Sequence, residues 1–395
     1  MPYSTRSTRL IPKTPLHRTQ WHRIQTTRPL RHFSSTSTSP SASEPASKPE
    51  PPRWFTALRS TLLSRNFPPL IDDLSPLQSQ KLEAALTSFL PPGWAKSPFE
   101  TGNYSHILPP GYHLIYFNPA LPADELLPDG TDPLQSPGEP FVRRMWAGGA
   151  VRWDEHGCWD PEVGLVVGMR GGLFVCAERI KEAVVRGEGD LAKIYVTVER
   201  RVGRVVEGDM AAASACAKMV EEGRKGEEWG GAVLVEERNL VFMKDRSREE
   251  LRRIRDGPVV PPKYLPSLTN PSFSHALTPT PSLLFRYSAL TFNAHAIHLD
   301  PEYCRNIEGH RNLLVHGPLS LTLMLSFISY HLKQKAGAQI VKSIEYKNLA
   351  PLYCGEQLRV CGKEKEGAEH GKGGECVYDV WIEGPTGGTA VKGTV

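Results

Sequence analysis

The residues with the clearest capacity for chemistry sit in two short stretches, Asn293-Ala294-His295-Ala296-Ile297-His298 and His316-Gly317-Pro318. A neutral imidazole, with an ordinary pKa near 6.5, can accept one proton and return another close to neutral pH. An asparagine amide orients a hydroxyl or a water but cannot carry a proton. Gly-Pro reads as a helix start, where unpaired N–H groups and the positive dipole end favour a developing oxyanion. Pro318 has no N–H, so Gly317 is the candidate donor. The candidates are therefore His298 as proton carrier, Asn293 as orienting amide and Gly317 as oxyanion donor, with His295 in a supporting position. A metal reading of His295, His298 and His316 lacks a carboxylate or cysteine partner in a recognisable pattern, so no metal and no cofactor are expected. Asn270 and His275 repeat the Asn-to-His spacing inside a Pro-rich stretch, so spacing alone decides nothing. Context does.

That context is an expected strand over 283–292 (LLFRYSALTF), the His-rich loop, and an expected helix over 316–332 (HGPLSLTLMLSFISYHL). Leu319, Leu321, Leu323, Met324, Leu325, Phe327 and Ile328 cover nearly every face of that helix, so something must wrap it. Expected strands at 339–348, 356–363, 375–383 and 388–395, with Gly-rich turns between them, supply the wrapping. One buried helix followed by several antiparallel strands is a hot-dog pattern, an α+β arrangement with a sheet curled around a central helix.

Further upstream, Phe55, Leu58 and Leu62 repeat at helical spacing. Ser75-Pro76-Leu77-Gln78 reads as a capping box opening a helix that Pro91-Pro92-Gly93 closes. Strands are expected at 112–117, 173–185, 193–202 and 231–243, with 207–230 as an insertion between strands. The stretch 246–280 opens with a charged run and is so rich in proline that it reads as an extended connection with no continuous helix or central strand.

The 395 residues carry 47 Lys and Arg against 43 Asp and Glu. Residues 1–33 hold seven of the basic residues and no acid, so the remainder balances at 40 against 43, a net charge of −3. A mildly acidic body argues against a nucleic-acid partner. The leader is basic, Ser/Thr-rich and free of acids, ending in Arg31-His32-Phe33, which are marks of a mitochondrial transit peptide for the matrix. Residues 34–53 read as a Ser/Pro-rich linker. No window approaches the 18 apolar residues of a membrane span. Seven scattered cysteines with no C-x-x-C fit free thiols in a reducing compartment.

The segment Phe285-Arg286-Tyr287-Ser288-Ala289-Leu290-Thr291-Phe292-Asn293-Ala294-His295-Ala296-Ile297-His298 resembles the D-x-N-P-(aliphatic)-H motif of the MaoC-like hydratases and dehydratases. Asn293 falls on the motif's Asp and His298 on its His, while His295 and Ala296 replace the usual Asn and Pro. Leu314-Val315-His316-Gly317-Pro318 resembles the family's H-G at the start of its central helix, and Arg143-Arg144-Met145-Trp146-Ala147-Gly148-Gly149 resembles the first half of its two-hot-dog subgroup. The resemblance implies a double hot-dog. A degenerate hot dog would span 54–245, a connection 246–280 and a catalytic hot dog 281–395. It also implies dehydration of (R)-3-hydroxyacyl thioesters on acyl carrier protein in mitochondrial fatty-acid synthesis. The alternatives are a hydratase of a short CoA ester such as mesaconyl-CoA, or a module that binds acyl thioesters without turnover. The chain would act as a monomer of two hot dogs or as a homodimer. Asn293 is the main departure, since an amide cannot serve as a second base.

Overall fold

The computed structural model describes residues 51–94, 106–154, 164–167, 172–205, 212–258, 262–268, 270–335, 339–365 and 375–395. The expected leader at 1–33 and all of the linker except 51–53 lie outside the described residues. Residues 51–395 form one compact unit.

The order of elements is α1 (Arg53–Leu63), β1 (Leu70–Asp72), α2 (Pro76–Leu86), β2 (His106–Ile107), β3 (Arg143–Trp153), β4 (Val166–Val167), β5 (Phe174–Arg186) and β6 (Lys193–Arg204). There follow α3 (Ala212–Arg224), β7 (Leu234–Met243), α4 (Arg248–Asp256), β8 (Phe273–Leu277), α5 (Pro281–Leu290), α6 (Pro301–Tyr303) and α7 (Gly317–Lys333). Strands β9 (Ser343–Asn348), β10 (Leu358–Glu364), β11 (Tyr378–Glu383) and β12 (Thr389–Thr394) close the chain. Ten strands form one antiparallel sheet in the order β1-β5-β6-β7-β3-β9-β12-β11-β10-β8. The N-terminal strands β3 and β5–β7 thus join the C-terminal set through the β3–β9 pair.

Helix α7 is the wrapped helix of the sequence pattern. Every residue from Leu319 to Ile328 is buried, packed in a core with Val151, Ile344, Val360, Val380 and Val391. The N-terminal strands use their inner face differently. In the row Glu178–Arg200–Glu236, the fully buried Arg200 guanidinium pairs with Glu178 at 2.5 Å and with Glu236 at 3.0 Å. It also donates to the Phe117 carbonyl at 2.6 Å. Arg238 pairs with the second Glu236 oxygen at 2.8 Å, and the two guanidiniums hold the Glu236 carboxyl down near 2 against its desolvation.

Several expectations are corrected here. Residues 112–117 are a buried 3₁₀ turn, Tyr112–Ile115, rather than a strand. Tyr112 to Phe117 are all buried, so the run has no alternation for a sheet to read, and left-handed Gly111 (φ +91°) turns it beneath Leu325 of α7. Ser75 is the N-cap of α2, but its side chain makes no cap bond. The Tyr116 hydroxyl serves instead, accepting from the Ser79 N–H at 3.1 Å and donating to the Ser75 carbonyl at 2.7 Å. The insertion expected at 207–230 does fall between β6 and β7, and its described part holds α3, whose Cys216 and Met219 pack on Val175 and Val235. The stretch 246–280 holds a helix, α4, opened by a reciprocal capping box between Ser247 and Glu250. It also holds β8, an edge strand paired only with β10, where nearby prolines cost no ladder bond.

The β3–β9 junction depends on Gly148 and Gly149. A Cβ on Gly148 (φ +137°) would lie 2.3 Å from the Tyr346 carbonyl oxygen, and one on Gly149 2.0 Å from that of Glu237. β3 can lie between β7 and β9 because neither residue has a side chain. Gly148→Ala should therefore cost about 1–3 kcal/mol of unfolding free energy in urea. Gly387→Ala, at φ +80° with open space around it, should cost less. Equal losses would remove the steric argument.

Candidate active site

Residues 283–292 are corrected from strand to helix. Pro281 stands at the first helical position of α5, and the Thr280 hydroxyl accepts from the Leu283 N–H at 3.3 Å. Leu283, Leu284, Tyr287 and Ser288 are buried at helical spacing. This Thr-Pro helix start is visible in the sequence and outweighs the apparent strand character of the run. The helix aims two polar groups at α7. The Tyr287 hydroxyl meets Thr322 Oγ1 at 3.0 Å, and Ser288 Oγ meets His316 Nε2 at 2.8 Å.

After α5 the chain folds tightly. The Asn293 N–H donates to the Ser288 carbonyl at 2.9 Å, and Asn293 Oδ1 accepts from the His295 N–H at 3.1 Å. A 3₁₀ turn, Ala296–His298, then presents His298. The Ile297 carbonyl accepts from the Leu314 N–H at 2.9 Å, and His298 Nδ1 lies 2.8 Å from the Leu314 carbonyl. A carbonyl can only accept, so Nδ1 carries the proton and Nε2 keeps its lone pair. The His316 ring stacks on that of His298 with centroids 3.6 Å apart. The His295 ring stands edge-on to His298 at 5.6 Å, its Nε2 lying 3.4 Å from Asp129 Oδ2.

Gly317 opens α7 directly after His316. The first helical bond runs from the Ser320 N–H to the His316 carbonyl at 3.0 Å, so the Gly317 N–H precedes the ladder. A Cβ at Gly317 would stand 2.9 Å from Asn348 Nδ2 and 3.0 Å from Trp146 Cβ. Trp146 itself donates from Nε1 to the Tyr346 hydroxyl at 2.7 Å, while Asn348 donates to the Trp146 carbonyl at 2.9 Å.

A cavity of about 850 Å³ gathers these groups. Asn293, His295, His298, His316 and Gly317 line it from the C-terminal part of the chain, and Leu114, Leu126, Arg144 and Trp146 from the N-terminal part. All three sequence candidates thus reach one chamber. Asn270 and His275 do not; His275 sits on β8 with Nε2 3.2 Å from the Phe89 carbonyl. Sequence reasoning missed Ser288 and the stacking role of His316, and it missed Asp129 altogether. Among the described residues, no three His, Cys, Asp or Glu side chains are grouped to hold a metal, and no helix is long and apolar enough to cross a membrane.

Burial controls the charge state. It pushes His298 from 6.5 down to about 4, with Arg144 adding to the shift and the Leu314 carbonyl opposing it. His295 and His316 are held well below the ordinary value by burial, then by neighbouring histidines. The site therefore presents neutral imidazoles at physiological pH, able to accept protons.

The chain matches the family described as hydroxyacyl-thioester dehydratase type 2 over residues 111–354. It is 30% identical over 302 residues to the mitochondrial hydroxyacyl-thioester dehydratase type 2 of Schizosaccharomyces pombe, covering 75% of this chain and 89% of that one. It is 28% identical over 290 residues to the mesaconyl-C(4)-CoA hydratase of Chloroflexus aurantiacus, covering 73% and 83%. A MaoC-like dehydratase structure from Phytophthora capsici aligns with TM-score 0.52 at 13% identity, covering 85% of this chain and 96% of that one, a likeness of fold alone. The fold is a double hot-dog.

The depressed histidines make stability depend on acid. A group whose folded pKa lies below its unfolded value contributes fully above the unfolded value and loses that contribution as pH falls towards the folded one. For His298 and His113, both pushed from 6.5 to about 4, that window is pH 6.5 to 4. Urea unfolding at pH 5 should show a stability lower than at pH 7.5 by roughly 1–2 kcal/mol for each such histidine. Equal stability at the two pH values would mean that these rings are hydrated in the folded protein.

Proposed function

We propose that this chain, which belongs to the hydroxyacyl-thioester dehydratase type 2 family, removes water from (R)-3-hydroxyacyl thioesters to give trans-2-enoyl thioesters, and adds it back in reverse. The observation that carries the reading is the neutral His298 ring, its Nδ1–H spent on the Leu314 carbonyl, in one cavity with the free N–H at the start of α7. The proton beside a thioester carbonyl is weakly acidic. His298 Nε2 takes it, and the electron pair moves onto the carbonyl oxygen, which accepts a hydrogen bond from the Gly317 N–H. The C3–O bond then breaks. The departing hydroxide receives the proton held by His298 and leaves as water, so the ring ends neutral, as it began. Asn293, its Oδ1 engaged by the His295 N–H, offers its amide N–H groups to the C3 hydroxyl oxygen.

The same reading places the work in the mitochondrial matrix on acyl carrier protein. Its support is the basic, acid-free leader at 1–33 and the likeness to a mitochondrial relative. It assigns catalysis to 281–395, a connecting role to 246–280, and completion of the sheet and acyl channel to a degenerate hot dog at 54–245. Two hot dogs in one chain supply the pair internally, so a monomer suffices. The second reading, hydration of a short CoA ester, is supported by the likeness to the mesaconyl-C(4)-CoA hydratase; the cavity-wall cations Arg144 and Arg238 are already paired with Asp132 and Glu236.

The test is hydration of crotonyl-CoA by mature protein, followed as loss of enoyl absorbance. His298→Ala should lose about 10²–10⁴-fold in rate with its circular dichroism unchanged. Asn293→Asp should keep or raise the rate, because a carboxylate oxygen can still accept from the His295 N–H. A folded His298→Ala protein of near-normal rate removes the site assignment, and an inert wild type favours the binding module. Matched acyl-carrier and acyl-CoA substrates should differ in kcat/KM in favour of the carrier, whereas a preference for CoA esters with a second carboxylate would support the second reading.

A further inference from the structure

Asp129 lies in a turn of the N-terminal part of the chain, far in sequence from the histidine loop, yet its main chain and carboxylate are both fitted to that loop. The Ala296 N–H donates to the Asp129 carbonyl at 2.8 Å. The next residue, Gly130 at φ +82°, presses so closely that a Cβ there would be 2.2 Å from the Ala294 carbonyl oxygen. The carboxylate is fixed as well, because Oδ1 accepts from both the Thr131 N–H at 2.9 Å and the Thr131 hydroxyl at 2.7 Å. Its other oxygen, Oδ2, is turned to His295 Nε2 at 3.4 Å, and both side chains are buried, Asp129 with 8% and His295 with 6% of its surface exposed.

We propose that Asp129 and His295 form a second, carboxylate-backed imidazole in the reaction site, supplying the hydrogen-bond acceptor that an amide at position 293 cannot fully replace. The inference rests on the dehydratase reading above. Asp129 is a positioning residue. Its Oδ2 faces His295 Nε2 as an ion-pair contact at 3.4 Å, and closing that gap when the site is filled lets it accept from Nε2–H, which fixes the tautomer and leaves Nδ1 as the acceptor of a ring that lines the cavity beside His298. In the hydration direction, a water between the two rings donates one O–H to His295 Nδ1 and the other to His298 Nε2, and its lone pair is then aimed at C3. The O–C3 bond forms, the proton passes to His298 Nε2, and His298 delivers it to C2. His295 accepts a hydrogen bond throughout and gains no proton, so every atom and charge is accounted for. The burial that keeps His295 neutral suits an acceptor. On this account one part of the chain supplies the proton carrier and the other supplies the carboxylate that orients its partner ring.

The experiment measures kcat and KM for crotonyl-CoA hydration by full-length wild type, Asp129→Asn, His295→Leu and the double variant Asp129→Asn/Asn293→Asp. Asp129→Asn and His295→Leu should each lower kcat by roughly tenfold or more, with KM within about twofold, since water rather than thioester is misplaced. The double variant should recover much of what Asp129→Asn loses, because a carboxylate at 293 restores an acceptor in the cavity. A merely structural role would give no such rescue. If Asp129→Asn fails to fold by circular dichroism, His295→Leu decides. Wild-type kcat in a folded Asp129→Asn or His295→Leu protein, or loss expressed only in KM, overturns the pair while leaving the dehydratase reading intact. A wild type inactive on every enoyl thioester removes both.

Discussion

The join between β3 and β9 constrains everything else in this molecule. It brings the N-terminal strands into the sheet that wraps α7, and it does so at the helix end where the candidate oxyanion donor lies. Gly148 and Gly149 admit β3 between its neighbours, and the register shift at Trp146/Gly148 sets the indole against Gly317. Asn348, at the end of β9, is bonded to the Trp146 carbonyl, and Tyr346 on the same strand accepts from the indole. The N-terminus of α7 is thus gripped by residues from both parts of the chain. A substitution at any of these glycines would move the candidate donor as well as the sheet, which ties the position of the Gly317 N–H to the packing of a strand junction.

The two ends of the sheet cover their inner faces by different physics. Around α7 the burden is carried by apolar area and close packing, which are non-directional. In the N-terminal strands an ion row, Glu178–Arg200–Glu236 with Arg238 beside it, lies buried across β5, β6 and β7. Desolvating four charges is expensive, and their mutual attraction offsets it only with good geometry and further hydrogen bonds. The Phe117 carbonyl provides one such bond, held in place by a left-handed backbone at φ +54°. Such a row is a weak argument for stability, but it is directional: each guanidinium fits only where its carboxylates stand. Glu178 and Arg238 also reach the cavity wall, so the ion row helps fix the shape of one side of the cavity.

Much of this was legible in the sequence where a single local signal dominates. Helix α7 announces itself by apolar residues on every face, and β5, β6, β7 and β10–β12 by short apolar runs between turns. Reading failed where two local signals competed. Residues 283–290 look like a strand by composition, yet Thr280-Pro281 specifies a helix start. Residues 112–117 are buried throughout, His113 included, and carry no period at all. The charged start of 246–280 hides a complete Ser-x-x-Glu cap before its prolines begin. His298, Asn293 and Gly317 could be singled out as candidates that line one cavity because they cluster in sequence around one recognisable helix. Asp129 could not, since nothing local marks it, and only the closing of one loop on another brings it to His295.

That closing also bears on why a neutral site is workable. Four histidines, His113, His295, His298 and His316, are almost fully buried, and each is driven towards its neutral form by desolvation. A base with a depressed pKa is a weak acceptor, and proton abstraction beside a thioester is demanding, so His298 alone in an apolar pocket would be a poor catalyst. The compensation lies in what the neutral state permits. Rings without charge can stack at 3.6 Å, as His298 and His316 do, with no like-charge repulsion to splay them. His298 and His316 each keep one nitrogen fixed, by the Leu314 carbonyl and by the Ser288 hydroxyl, so their orientation is set before substrate arrives. On the proposed mechanism, once a thioester fills the cavity, the oxyanion forming near Gly317 is a negative charge close to His298, and it favours the imidazolium at the moment the proton is taken. The site therefore need not hold a strong base at rest, because the basicity it requires is raised by the charge that the reaction itself creates.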